Sequence, residues 1–371
     1  MSAHAHLSPV PITGSALILF AFDIGFQVDL DAAESLVQES SRKKLIRARR
    51  AAPAWFDYNP PPLRVRLDCE PVQVASATTE AQVEILIYDF GAVLLTYRLP
   101  LPDTLDALPE LGWQLYEHAK LSADARQRAA QVLDLIRPAV EKPKLADAFE
   151  DYTVYAVSSW GQGTPEDILN TNRELIARTI EAERVALSNA QIARTTQAAM
   201  SYASTDLVVI DWNAAVLFDA DPEDIITVLQ HANVELLEFR ILDEELDSIL
   251  DHADETLAAL TQSRLWPSFA SSRLLRRFAS VQTDTAVMFE GVNNAIKLLG
   301  NQYLAQVYRA TAARLDLPAW HEGILRKLEA TESIYQKMSD STSTKRLEVL
   351  EWVIIVLIAV SIALPFTPWY H

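Results

Sequence analysis

The last stretch of the chain, Arg346–Phe366 (RLEVLEWVIIVLIAVSIALPF), limits the fold more than any other. From Trp352 to Leu364 every residue is apolar except Ser361. A run this bare has to be buried, either in a bilayer or in a protein core. Extended from Val349 to Phe366 it reaches about 18 residues, the lower end of what a spanning helix needs. Glu351 stands at its edge beside Trp352, where a charge costs far less than at the bilayer centre. Trp352 before the run, and Trp369 and Tyr370 after it, have the placing of interfacial anchors. Lys345 and Arg346 precede the run and no Lys or Arg follows it. The positive-inside bias then predicts a large cytoplasmic N-terminal body. The expectation is a single-pass, tail-anchored membrane protein with this helix as its contact with the lipid bilayer, the inner membrane if the source is bacterial.

The 371 residues suffice for two or three domains with real cores. A formal net charge of −18 argues against a chain that coats nucleic acid, because phosphate binding needs clustered Lys and Arg. Cys69 is the one cysteine, so an internal disulfide is excluded and a reducing compartment is expected. The start of the chain lacks Lys and Arg before the apolar run Ala16–Phe22, and Asp23 interrupts that run. This disfavours a secretory signal or a transit peptide.

Residues 1–14 read as a loose lead. Ala16–Phe22 reads as a buried strand, with Asp29 or Asp31 capping a short helix after it. Strands follow at Leu63–Leu67, Val83–Asp89 and Ala92–Arg98, and a helix carries Leu105, Leu108 and Leu111. A second series begins with Tyr152–Val157. Thr164-Pro165-Glu166-Asp167 then has the cap, first-turn proline and acids of a helix start. Strands Asp206–Asp211 and Ala214–Phe218 close the series. The hairpins YDFGAVLL (Tyr88–Leu95) and IDWNAAVLF (Ile210–Phe218) correspond. Gly91 and Asn213 are types that tolerate positive φ in a turn, and Asp89 and Asp211 can bond its backbone. The reading is an α+β head over 15–233, built as a duplicated β-α-β-β-α module. Its sheet is mostly antiparallel, with helices on one side.

After Phe239 the strand signals stop. Phe239, Leu242, Leu246, Ile249, Ala253, Thr256 and Leu260 alternate spacings of three and four, the seam of a coiled coil or helical hairpin. Residues 234–345 are expected to form an all-α stalk. Its first helix is acidic, Glu235 and Glu238 included, and Arg264, Arg273, Arg276 and Arg277 at the start of the next are expected to match part of that face across the hairpin. The anchor at 346–366 and a short tail at 367–371 complete the organisation.

No phosphate loop, nucleophile elbow, paired metal-ligating His or Cys-x-x-Cys is present. No catalytic, metal-binding or cofactor-binding residue is therefore assigned. Asp247, Asp251, His252 and Glu255 fall near one helical face, where a solvated acidic surface is expected ahead of a cation site. Asp89 and Asp211 as a carboxylate dyad are set aside, since each already has a turn to stabilise. The best binding candidate is the basic block Arg42, Lys43, Lys44, Arg47, Arg49 and Arg50 with Trp55 beside it, suited to an acidic partner or an RNA backbone. Against it stands a loop folded on the protein's own acidic surface.

The hairpin YDFGAVLLTY (Tyr88–Tyr97), the helical second half and RLEVLEWVIIVLIAVSI (Arg346–Ile362) resemble the family of proteins named for being required for meiotic nuclear division. In this chain Val349-Leu350-Glu351 separates Arg-Leu-Glu from Trp352, which makes it a divergent, bacterial-type relative. The resemblance implies one membrane helix, a role as anchor or assembly factor, and no catalytic residues. The functional expectation is a non-enzymatic, cytoplasm-facing scaffold that binds a protein partner or self-associates as a homo-oligomer. Contact with nucleic acid or a ribosome is left open, without support in the residues. Two alternatives are a subunit of a membrane ion-transport assembly and an enzyme with an unfamiliar site.

Overall fold

The computed structural model describes residues 9–41, 47–50, 56–57, 60–74, 76–262, 283, 297–298, 301–334 and 336. The chain divides into two units, one of residues 1–240 and 290–319, the other of 241–289 and 320–371.

The first unit is built on Ile12–Asp23 (β1), whose apolar residues point both ways. Ile18, Phe20 and Phe22 are buried on one face and Leu17, Leu19 and Ala21 on the other. A strand buried on both faces has to lie inside a sheet and beneath two layers. The remaining strands of this sheet are Arg47–Arg50 (β2), Leu63–Asp68 (β3), Gln82–Ile87 (β4), Ala92–Pro100 (β5), Phe149–Trp160 (β6), Ala199–Met200 (β7), Leu207–Ile210 (β8) and Ala214–Phe218 (β9). Their order is β7-β8-β9-β6-β1-β5-β4-β3-β2. Every neighbouring pair is antiparallel except β6 and β9, which run parallel with Thr153 opposite Ala214. The fold is α+β with a mixed sheet.

Four helices cover the Phe20 face: Leu30–Ser41 (α1), Leu108–Leu115 (α2), Ala119–Ile136 (α3) and Pro165–Ile180 (α4). Local signals start two of them as the sequence predicts. Asp29 Oδ1 accepts from the N–H groups of Asp31 and Ala32 at 3.0 and 3.1 Å. Thr164 and Asp167 form a reciprocal capping box with Pro165 in the first turn. Asn189–Thr196 (α5) follows α4. The other face is covered too, which corrects the one-sided expectation. The part of Glu223–Gln262 (α6) that belongs to this unit, up to residue 240, lies against it, and Gln230 Nε2 donates to Thr96 Oγ1 of β5 at 3.2 Å. From Ile225 to Phe239 every residue of α6 except Leu236 is buried. Gln302–Arg314 (α7) completes the helices of this unit.

The duplication fails at the level of topology. In the first half the hairpin returns antiparallel to its leading strand, β5 on β1, and in the second half parallel to it, β9 on β6. No single rotation superposes a pair of each kind. Both hairpin turns consequently lie at the same end of the sheet, where β1 ends and β6 begins. Likeness between the hairpins records a shared turn chemistry.

In the second unit α6 continues across the unit boundary with Leu242 and Leu246 buried and Asp243 and Asp247 at its side. Lys327, on helix 317–334, donates to Asp243 Oδ1 at 2.6 Å and Asp247 Oδ1 at 2.7 Å. Asp247 is thus spent on an internal ion pair. Among the described residues no group of three or more His, Cys, Asp and Glu is placed to hold a metal.

Among the described residues no helix is long and apolar enough to cross a membrane. The expected anchor, with Lys345, Arg346, Trp352, Trp369 and Tyr370, lies outside the described residues. The single-pass membrane reading is corrected accordingly. Arg42, Lys43, Lys44, Trp55, Arg264, Arg273, Arg276 and Arg277 lie outside them as well. Arg47, Arg49 and Arg50 belong to β2, the last strand at one edge of the sheet, paired with β3.

Candidate functional site

The end of the sheet where β1 stops and β6 starts gathers the two turns and, among the described residues, most of the exposed aromatic side chains. Gly91 has φ near +100°, and a Cβ there would stand 1.8 Å from the Gly25 carbonyl oxygen, so only glycine fits. Asp89 bonds the backbone N–H groups of its own turn, and burial raises its carboxyl above the usual carboxylate range. Asp211 Oδ1 accepts from the Trp212 N–H at 2.9 Å. Burial raises its carboxyl as well, and Arg314 at 3.8 Å opposes that shift. Asn213 departs from expectation. It is not among the positive-φ residues, and its Nδ2 instead donates to the Ile180 carbonyl at 3.1 Å, tying the turn to the end of α4. Strands β6 and β1 stand between the two turns. Asp89 follows β4 and Asp211 follows β8, five strand spacings apart or roughly 24 Å, too far for a dyad.

Beside the first turn is a cleft of about 630 Å³, lined by Asp29, Asp31, Asp89 and Glu141 among others. Its acids are partly committed, Asp29 to the α1 cap and Asp89 to its turn.

Around the second turn the surface is aromatic. Trp113 and Tyr116 at the end of α2 are each 45% exposed, and Trp212 is 53% exposed. Close packing holds them in place. A Cβ on Gly112 would stand 2.6 Å from the Thr179 carbonyl, so glycine lets α2 approach α4. Arg184, in the loop after α4, stacks 3.4 Å from the Trp113 ring centre and donates to Glu110 Oε2 at 2.9 Å. Tyr152 Oη reaches the Asp211 carbonyl at 2.9 Å, fixing β6 to the turn. Asp151 and Trp212 each precede by two residues the first paired position of their strands. Partial burial raises the Tyr116 phenol, and the charges of Glu117 and Asp151 raise it further. Loss of solvation raises the Asp151 carboxyl, with the like charge of Glu117 adding to it. Glu117 and Ala182, on either side of this surface, hold the left-handed backbone at φ 48° and 54°. For residues other than glycine, this conformation marks stored strain.

The family model of "Uncharacterized protein MJ0711, N-terminal domain" matches residues 13–224, more than half of the chain. The chain belongs to this family. Membership corrects the resemblance to the meiotic-nuclear-division proteins, for which neither the family match nor the relative gives any support. Uncharacterized protein MJ0711 of Methanocaldococcus jannaschii is 21% identical over 222 residues, covering 59% of this chain and 67% of that protein. No solved structure matches. The domain so matched contains the whole sheet end described above, from Asp89 through Trp113, Tyr116 and Asp151 to Trp212.

A polar group that sequence reasoning missed lies inside the first unit. His231, Glu235 and Glu238 recur on one side of α6 at spacings of four and three, and all three are buried. Tyr308 of α7 donates to Glu235 Oε2 at 2.6 Å, and His231 Nε2 is 3.9 Å from the same oxygen. Burial lifts the Glu235 carboxyl to about 7, against the pull of the Tyr308 hydrogen bond. Burial lowers the His231 imidazole to about 3. In mild acid both are neutral, so the pair is a polar contact rather than an ion pair. The missed signal was the apolar setting, IITVLQHANVELLEF, in which charged types at helical spacing face inward.

Proposed function

We propose that the protein is a non-catalytic interaction factor, a scaffold or assembly partner, whose contact surface is the aromatic end of the sheet. The observation that carries this reading is that Trp113, Tyr116 and Trp212 are each about half exposed, while α2 and the Trp212 turn are both held to the end of α4. Large aromatics are enriched where proteins dock, because they bury much area at little cost in side-chain freedom. These three are held by the packing of Gly112 on α4 and by the tie from Asn213 to Ile180, so little ordering remains to be done on binding. The partner is another protein or a second copy of this chain.

The test is capture of partners by the full-length chain in its native host, with and without the pair Trp113→Ala and Trp212→Ala. The expected result is loss of the captured set, or of a dimer in sedimentation velocity, with the thermal midpoint kept. A wild-type chain recovered alone and monomeric overturns the reading, as does a captured set indifferent to both substitutions.

A second reading, an enzyme acting in the cleft beside Asp89, is favoured by the size of that cleft, which falls within the range of small-molecule sites. The commitment of Asp29 and Asp89 to backbone groups weighs against it.

A further inference from the structure

The edge of the sheet away from β7 brings together arginines that stand in two separate stretches of the chain. The register places Arg49 of β2 opposite Arg64 of β3, and Arg47 opposite Arg66. Residues so paired share a face of the sheet with Cβ atoms about 5 Å apart, and successive residues alternate between faces. These four arginines therefore form one block on one face. Arg50 is excluded from it, because it pairs with Leu63, which is buried in the core with Phe20. The next strand contributes Glu84 opposite Arg66, and this carboxylate is shared. Its Oε2 lies 3.5 Å from Arg64 Nη1 and 3.6 Å from Arg66 Nε. Asp68, on the same face at the end of β3, accepts from Gln82 Nε2 at 2.8 Å. Arg64 Nε is buried and has no hydrogen-bond partner among the described residues, while the Arg66 side chain is 58% exposed. Like charges directly opposite one another on a sheet repel, and a buried donor without an acceptor is costly. An anion entering the block relieves both.

We propose that Arg47, Arg49, Arg64 and Arg66 form a binding site for a compact, multiply charged phosphate anion such as the di- or triphosphate of a nucleotide. The site is separate from the aromatic surface and does not depend on it. Arginine suits this ligand because its planar fork meets two phosphate oxygens at once. The block measures about 5 Å across the strands and about 7 Å along them, the scale of one such group rather than of a length of nucleic acid. The chain's net charge of −18 repels the flanks of a longer polyanion, which favours the compact ligand.

The experiment is calorimetric titration of the full chain with inorganic triphosphate, free of divalent cations, at about 0.15 M salt. Saturable binding to a single class of site is expected. Arg64→Gln with Arg66→Gln should weaken it by about tenfold or more, and Arg47→Gln with Arg49→Gln likewise. The second pair, on the edge strand, decides the matter if the first lowers the thermal midpoint. Arg137→Gln with Arg173→Gln makes the same charge change at exposed helix positions and should stay within about twofold. Equal weakening by the control pair overturns the proposal, because it marks diffuse attraction. No binding of triphosphate overturns it too. Tighter binding of a single-stranded oligonucleotide, growing with its length, overturns the compact ligand in favour of a nucleic-acid surface. A glutamate-rich peptide that binds as well as triphosphate overturns it in favour of a protein-docking surface.

Discussion

Carboxylates occupy two settings in the first unit, the interior of α6 and the surface beside Trp212. Glu235 is buried, receives a hydrogen bond from Tyr308 and lies 3.9 Å from a neutral His231. Asp151 reaches solvent next to Glu117 and Tyr116. Both are shifted upward, and in both loss of solvation is the leading cause. In the interior that shift belongs to folding, because burial removes the solvation a charge would need. At the surface it leaves a charge to which a partner has access. Similar direction, opposite use: what separates the two is whether the shifted group can be reached.

The interior can be broken hardest at His231. Its imidazole titrates near 3 in the fold against an ordinary value of 6.5. Below 6.5 the unfolded chain takes up a proton that the folded chain refuses. The stabilising contribution is whole above that value and is lost as pH falls toward 3. A shift of this size corresponds to about 4–5 kcal/mol at full extent. His231→Gln should remove most of this acid sensitivity. Urea unfolding at pH 7 and pH 4 should show the wild type losing about 3 kcal/mol more than the variant. Equal losses in the two proteins mean that His231 is solvated or charged in the fold.

Glu235 responds in the opposite direction. Its folded value near 7 exceeds its ordinary 4.5, so the protonated form is favoured by folding. That contribution is whole below 4.5 and disappears as pH rises through 7. The full extent is about 3 kcal/mol. Glu235→Gln keeps the shape and a hydrogen-bond acceptor for Tyr308 without the charge. The variant should match the wild type near pH 5 and exceed it by about 2–3 kcal/mol near pH 8. Between pH 4.5 and 6.5 the His231 and Glu235 slopes cancel, so the wild type should show a plateau of stability there.

The sheet was legible where its chemistry is local. Ala214–Phe218, the Thr164-Pro165 helix start and the glycine turn at Gly91 follow from runs, caps and backbone freedom that a few residues carry. What was illegible depends on what packs on what. The segment from residue 234 reads as the start of an acidic stalk because Glu235 and Glu238 are charged, and the apolar residues from Phe239 on suit a helical hairpin equally well. Only the sheet face around Thr96 and the hydroxyl of Tyr308 turn those carboxylates inward. The apparent duplication misled for a related reason, since two similar turns carry no information on the direction of the neighbouring strand. The aromatic surface was invisible as such. Trp113, Tyr116 and Trp212 lie far apart in the chain, and the packing of α4 against α2 and β9 draws their segments together.

The weakest effect tests the surface half of the contrast. Asp151 is raised for the same leading reason as Glu235, so its contribution also has the sign of a group that folds better protonated. It is present in acid and lost as pH rises through the folded value. Solvent reaches Asp151, which screens the repulsion from Glu117 and cuts the energy to that of an exposed charge pair, about 0.5 kcal/mol or less. Asp151→Asn should therefore stabilise the protein slightly at pH 7 and leave it unchanged at pH 3. The gain corresponds to a rise in the thermal midpoint of about 1–2 °C for a unit of this size. A gain as large as that of Glu235→Gln places Asp151 in the interior with Glu235. A loss means that Asp151 already has a cation within the fold. Only a small gain fits a carboxylate that solvent still reaches.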